Sequence, residues 1–184
     1  MKKAIFLDKD GVLIEDIPYN IDVARIKLSP GISDKLLNLQ KAGYLLIIIT
    51  NQSGIAKGLF DEEKLIPVRK KIEQLLSGNG IKLDGFYYCP HDMNGKIKKY
   101  SIKCSCHKPE PGMLMQAAKD FEIDLKKSWM IGDKTSDIET GKNAGCRTIY
   151  VSAKNRILPS TEIQVATYSA RSVRIGLEFI MNHS

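Results

Sequence analysis

Two carboxylates, Asp8 and Asp10, stand two residues apart at the end of an apolar run, in Phe6-Leu7-Asp8-Lys9-Asp10-Gly11-Val12. In a loop at a strand end, both side chains can turn into one site. Such a pair suits a hard cation such as Mg²⁺, which takes a few carboxylates together with water and substrate phosphate oxygens. It also suits divided labour, one carboxyl as nucleophile and the other as acid and base. An ordinary Asp-rich turn would leave the same trace, and what tells against it is repetition. Ile49-Thr50-Asn51-Gln52-Ser53-Gly54 closes another apolar run with hydroxyl and amide donors, and its glycine lets backbone N–H groups approach an anion. Met130-Ile131-Gly132-Asp133-Lys134, with Asp137 beyond, adds a third acid and a cation; alone it reads as a helix N-cap. A metal, an in-line nucleophile and cations around the equatorial oxygens are the parts of phosphoryl transfer. No GxxxxGK[ST] segment occurs, which disfavours a nucleotide-driven kinase or ATPase.

A second constellation is Cys89-Pro90-His91, an interval spanning residues 92–103, and then Cys104-Ser105-Cys106. Two tight ligand pairs with a loop between them can close a tetrahedral S₃N zinc site. All four positions would be protein ligands, so the ion would be structural and would pin a polar loop. Three buried thiols and a stray histidine are the plainer alternative. In a reducing compartment, clustered cysteines point to metal rather than disulfides. Cys146, in Ala144-Gly145-Cys146-Arg147-Thr148, reads instead as a small core residue entering a strand.

Holding these residues together requires strands and helices in alternation. Short apolar runs at Lys3–Leu7, Tyr44–Ile49, Phe86–Tyr88, Trp129–Ile131 and Arg147–Val151 alternate with helical patterns at Ser33–Lys41, Glu62–Leu76, Gly112–Phe121 and Ser136–Ala144. The pattern predicts an α/β fold, a Rossmann-like parallel sheet covered by helices on both faces, with no large cap domain. Pro67 kinks the second helix or delays its start, and Gly43 and Gly145 end helices just before strands. Beyond Asn155 the expectation is one strand, Gln164–Tyr168, and one helix, Val173–Met181, without chemistry. In such a sheet ligands bind beyond the carboxyl ends of the strands. All three polar clusters fall there, and that convergence is stronger evidence than any one motif.

Length and composition set the frame. The 184 residues predict one domain, 1–184, with the zinc loop at about 89–106. Hydrophobic residues at 43% and charged ones at 27% exclude disorder, collagen or coiled coil as descriptions of the whole. Tyr44–Ile49 is too short to cross a bilayer, and Asp8 interrupts any signal-peptide core, so the expected location is the cytoplasm, away from membranes. A net charge of +7 favours an anionic partner, although a solvated basic surface would carry it too. A zinc-knuckle nucleic-acid binder would use Tyr87, Tyr88, Tyr100 and the lysines at 96, 98, 99 and 103, but it leaves the three acid clusters unexplained.

Taken together, Asp8-x-Asp10-Gly11, Thr50, and Gly132-Asp133 resemble the haloacid dehalogenase phosphatase superfamily. The segments 50–54, 87–91 and Cys104-x-Cys106-x-Lys108-Pro109-x-Pro111-Gly112-Met113 are similar to its D-glycero-D-manno-heptose 1,7-bisphosphate 7-phosphatase branch, with histidinol-phosphate phosphatase as near kin. The resemblance runs from about Ala4 to Val151. It implies that Asp8 is the nucleophile and Asp10 the acid and base. Asp8, the Asp10 carbonyl and Asp133 would hold Mg²⁺, and Thr50 and Lys108 would stabilise the phosphoryl group. It further implies that Asp16, Tyr19, Asn51, Gln52, Ser53, His107 and Lys134 meet the substrate, and that Cys89, His91, Cys104 and Cys106 hold Zn²⁺. The implied enzyme is a monomeric phosphatase of a small sugar phosphate with no nucleic-acid partner. Histidinol phosphate is the alternative substrate, and a DNA 3′-phosphatase on the same chemistry would lack a reason for the zinc loop. Two residues depart from the branch. His107 stands where an arginine is usual, so the expectation is weaker anion binding above neutral pH. Ile14 stands where the heptose enzymes often carry asparagine.

Overall fold

Along the first strand, β1 (Lys3–Leu7), Ile5 and Leu7 enter one buried cluster while Ala4 and Phe6 enter another. Along β2 (Tyr44–Asn51), Leu46 and Ile48 join the first cluster and Ile47 and Ile49 the second. Successive side chains of a strand point to opposite faces, so an unbroken apolar run feeds two cores at once. The computed structural model describes residues 1–152 and 166–183. Its other strands are β3 (Gly85–Cys89), β4 (Trp129–Gly132), β5 (Arg147–Val151) and β6 (Tyr168–Ala170). Its helices are α1 (Ser33–Lys41), α2 (Leu65–Ser77), α3 (Gly112–Phe121), α4 (Thr135–Asn143) and α5 (Val173–Asn182).

The six strands are all parallel, in the order β3-β2-β1-β4-β5-β6. One face is covered by Leu36 and Leu39 of α1, Val68, Ile72 and Leu76 of α2, and Val173, Leu177 and Ile180 of α5. The other is covered by Met113, Leu114 and Ala117 of α3, with α4 lying over Met130 and Thr148. Each such buried aliphatic side chain contributes roughly 1.5–3 kcal/mol, so the two cores hold the sheet and leave the loops above it free for chemistry. The order reverses between β1 and β4, and the crevice of an open α/β sheet forms at that reversal. No helix among the described residues is long and apolar enough to cross a membrane.

The alternation expected from the sequence is present, with local differences that have physical causes. β2 continues through Thr50 and Asn51, which still pair with Tyr88 and Cys89. A single 3-10 turn, Glu62–Lys64, precedes α2, and Pro67 is the third helical residue. There its missing N–H would have had no intrahelical acceptor, so Pro67 delays the helix and does not kink it. The strand expected at Gln164–Tyr168 is displaced: residues 164 and 165 lie outside the described ones, and β6 begins at Tyr168. Just before it, Thr167 exchanges hydrogen bonds with Thr148 through the two hydroxyls, which occupy the places of ladder bonds.

Candidate active site

Asp8 leaves β1 with its backbone N–H on Ile131 O, 3.0 Å away, which fixes the loop to β4. Two donors converge on its Oδ1: the Lys9 N–H at 2.8 Å and Lys108 Nζ at 2.8 Å. Oδ2 takes neither. Lys108 is 4% exposed, and its ammonium also donates to Asp137 Oδ1 at 2.5 Å and Ile49 O at 3.3 Å. Burial alone would lower its pKa, but Asp137 and then Asp8 outweigh that and hold it above the usual lysine value. The Asn51 amide brackets the Lys108 backbone, accepting from its N–H at 3.0 Å and donating to its carbonyl at 3.3 Å. Asp137 Oδ2 accepts from the Lys134 N–H at 3.1 Å, and Gly132 leaves room for it, since a Cβ there would overlap the Asp137 side chain.

Asp133 follows β4 and is nearly buried, yet its Oδ1 makes no hydrogen bond. Burial, with Asp8 close by, raises its pKa to about 7. Gly11 lets the first loop come against it: φ there is +82°, and a Cβ would sit 2.6 Å from Asp133 Oδ2. Asp8, Asp133 and Asp137 offer oxygens that all lie within 4.8 Å of one another. A buried orphan oxygen among close carboxylates fits a hard divalent cation. Asp137 spends both oxygens on Lys108 and Lys134, which leaves Asp8 and Asp133 as the side chains able to hold the ion.

Asp10 lies beside Lys9, whose ammonium is 2.9 Å from Asp10 Oδ1 in a side chain that is itself buried. Burial raises the Asp10 pKa, Lys9 opposes this, and the balance stays above the ordinary carboxyl value. Asp10 and Lys9 line a cleft of about 370 Å³. All of Asp16, Tyr19, Asn51, Gln52, Ser53, His107 and Lys134 line it too, so the structure brings every expected substrate contact to one place. Lys9, Asn51, His107 and Lys134 are the chain neighbours of Asp8, Thr50, Lys108 and Asp133, which puts that buried quartet directly behind the wall. Thr50 Oγ1 accepts from Gln52 Nε2 at 2.9 Å, so its own proton is free to be donated.

Cys89, His91, Cys104 and Cys106 form a second group within 4.8 Å. The sulfurs of Cys89, Cys104 and Cys106 are 3.1–3.6 Å apart, and His91 Nδ1 is 3.6 Å from Cys89 and 3.5 Å from Cys106. Ligands 2.0–2.3 Å from one tetrahedral centre lie roughly 3.3–3.8 Å apart, so the donor set fits zinc with a slight contraction. Burial, above all, pushes the metal-free Cys89 thiol upward. The Cys89 carbonyl accepts from the Gln52 N–H at 2.7 Å, tying this group to the turn after Thr50. The loop also docks through Ala56 O, which accepts from Lys96 and Ile97, and through Glu62, which accepts from Tyr88 and Tyr100.

The two departures fall in different surroundings. Ile14 is 1% exposed in the core and does not line the cleft. His107 does line it, with Nδ1 directed at His91 O, 2.7 Å away. Three residues went unseen in the sequence, Lys9 on Asp10 and Asp92 and Asn20 on the cleft wall, and Asp137, noted there as a possible helix cap, is also the partner of Lys108. Lysine defaults to the surface, so only the flanking carboxylates could have flagged Lys9.

A parallel sheet of this order with Asp8, Asp10, Thr50 and Asp133 at its strand ends, and Lys108 reaching them from the run before α3, defines a phosphatase of the HAD-like class. The HAD-hydrolase-like family model matches residues 105–156. The D-glycero-beta-D-manno-heptose-1,7-bisphosphate 7-phosphatase of Pasteurella multocida is 40% identical over 180 residues, covering 98% of this chain and 94% of that one. The enzyme of the same name from Haemophilus influenzae is 44% identical over 144 residues, 78% of each chain. The crystal structure of D,D-heptose 1,7-bisphosphate phosphatase from B. bronchiseptica, complexed with magnesium and phosphate, aligns over 99% of both chains with a TM-score of 0.81 and 27% identity. The chain belongs to the heptose bisphosphate phosphatase branch of the HAD-like phosphatases.

Proposed function

We propose that the protein removes the 7-phosphate of D-glycero-D-manno-heptose 1,7-bisphosphate, as a cytoplasmic enzyme of nucleotide-activated heptose synthesis. The carrying observation is the pair of carboxyls at the end of β1 held in opposite conditions. Asp8 is gripped on one oxygen by Lys9 N and Lys108 Nζ, while burial favours the protonated form of Asp10. Asp8 attacks phosphorus, and Asp10 gives its proton to the sugar oxygen as the P–O bond to the sugar breaks. Water then attacks the aspartyl-phosphate, Asp10 takes that proton, and the bond to Asp8 breaks to release inorganic phosphate. Thr50 Oγ1 and Lys108 Nζ donate to the phosphoryl oxygens as charge develops. Asp8, the Asp10 carbonyl and Asp133 would hold Mg²⁺, which supplies charge neutralisation at those oxygens. Cys89, His91, Cys104 and Cys106 would hold a structural Zn²⁺. Lys134, Asp16, Tyr19 and His107 meet the sugar end.

The relatives' printed activity and the polar cleft support a sugar substrate over histidinol phosphate, since Asp16, Asn20, Asp92 and Ser53 suit hydroxyl groups. The nucleic-acid reading gives the buried Asp8, Asp133 and Asp137 no task, which is the reason to prefer the phosphatase reading. The test is ³¹P NMR of the Mg²⁺-loaded enzyme with each anomer of the bisphosphate and with histidinol phosphate. Loss of the 7-phosphate resonance with retention of the 1-phosphate supports the reading. Faster turnover of histidinol phosphate contradicts it.

A further inference from the structure

Lys57, just beyond the turn that follows β2, was given no role by its sequence context. Its Nζ lies 2.8 Å from Tyr19 Oη and 3.5 Å from Asp92 Oδ2. Tyr19 and Asp92 both line the cleft. Tyr19 is held there by backbone as well as packing: its φ is +53°, and its ring lies against Gly54, where an added Cβ would sit 3.0 Å from Cδ1. One ammonium thus joins three segments at the cleft's rim: the loop after β1, the turn after β2 and the loop carrying the cysteines.

The distribution of charge gives this ammonium a task. A bisphosphate brings two dianionic groups, and one is consumed at Asp8. Among the described residues lining the cleft, the lysines are Lys9 and Lys134. Lys9 is committed to Asp10, and Lys134 directly follows Asp133, at the end of the cleft where the first phosphate reacts. Lys108 is spent on Asp8 and Asp137. His107 has already directed Nδ1 to a carbonyl. Asp16 and Asp92 on the wall repel a second phosphate. Lys57 keeps one ammonium hydrogen beyond its two contacts, and Tyr19, accepting from Lys57, has its own hydroxyl proton to donate. Two donors side by side at the rim make an anion subsite.

We infer that Lys57 and Tyr19 bind the substrate's second phosphate, at the end of the cleft away from Asp8, and so select a bisphosphate over a monophosphate. The inference rests on the proposed function. Asp92 is the resting counter-ion of Lys57, and the incoming phosphate replaces it.

The experiment compares kcat/KM for the heptose 1,7-bisphosphate with that for the heptose 7-phosphate, using Mg²⁺-loaded wild type, Lys57→Met, Lys57→Arg and Tyr19→Phe. Lys57→Met lowers the bisphosphate-to-monophosphate ratio about tenfold to a hundredfold, the range for a hydrogen bond to a charged group. The loss appears in KM for the bisphosphate. Lys57→Arg restores most of it, and Tyr19→Phe gives a smaller fall in the same direction. A high wild-type ratio that Lys57→Met leaves in place overturns the subsite alone. A wild-type ratio near one overturns the subsite and the bisphosphate reading together.

Discussion

Lys108 Nζ lies 2.8 Å from Asp8 Oδ1 although 100 residues separate them in the chain. The ammonium is shared with Asp137, so one buried cation orients the nucleophile and neutralises a second acid. Four chain segments meet at that nitrogen: the end of β1, β2 through the Ile49 carbonyl, the run before α3 and the first turn of α4.

Breaking this arrangement costs stability as well as activity. Lys108→Met leaves Asp8 and Asp137 buried without their partner and is expected to destabilise the fold by about 3–5 kcal/mol. Urea unfolding measures it. Lys108→Met combined with Asp137→Leu recovers much of that stability and none of the turnover. Equal stability of wild type and Lys108→Met would contradict the arrangement.

Asp10→Asn removes the proton donor and lowers turnover of the sugar phosphate about 10²- to 10⁴-fold. A leaving group that needs no proton suffers less in the first step, so single-turnover loss of p-nitrophenyl phosphate should be far less affected. Equal losses on both substrates would assign Asp10 a structural role.

Magnesium binding should depend on pH through Asp133. Its folded pKa of about 7 lies above the ordinary 3.8, so the metal-free fold carries an extra proton between those values. Metal-free stability therefore falls as pH rises from about 4 to 7. The ion needs the carboxylate, so binding expels that proton and affinity rises up to pH 7, then levels. The rise in melting temperature on adding Mg²⁺, measured from pH 5.5 to 8.5, checks this. Increments independent of pH, or an Asp133→Asn variant that keeps them, would count against it.

The cysteine loop should carry about one zinc per chain. Cys104→Ser is expected to lose the metal and to lower the melting temperature by about 2–4 °C for each kcal/mol of anchoring lost. Because Gln52 N–H is held by the Cys89 carbonyl, KM should rise with it. Metal analysis showing no zinc in the wild type would remove the site.

How far the sequence reveals this site depends on how local each signal is. β1, α1, α3 and β5 are legible to the residue because an apolar run or a helical period ends at a turn signal. Asp8, Asp10, Thr50 and Asp133 are legible because each closes such a run. Asp137 looked like a helix cap, and it is one for Lys134 N–H, but its other oxygen reaches Lys108 from a segment 29 residues away. Asn51 looked like a phosphate donor; it lines the cleft and also brackets the Lys108 backbone, a second task that its sequence context does not reveal. Lys9 and Lys57 are lysines like any others until the chain closes around them. Pairings between distant segments leave no periodicity behind, so they emerge only from the packed fold.

The central claim is that the phosphoryl group passes through Asp8. Acid-quenching the Mg²⁺-loaded enzyme during turnover of ³²P-labelled bisphosphate, then mapping the labelled peptide, tests it directly. The account predicts label on the peptide containing Asp8, with neither label nor phosphate release from Asp8→Asn. Label on another residue, or phosphate release persisting in Asp8→Asn, would contradict it.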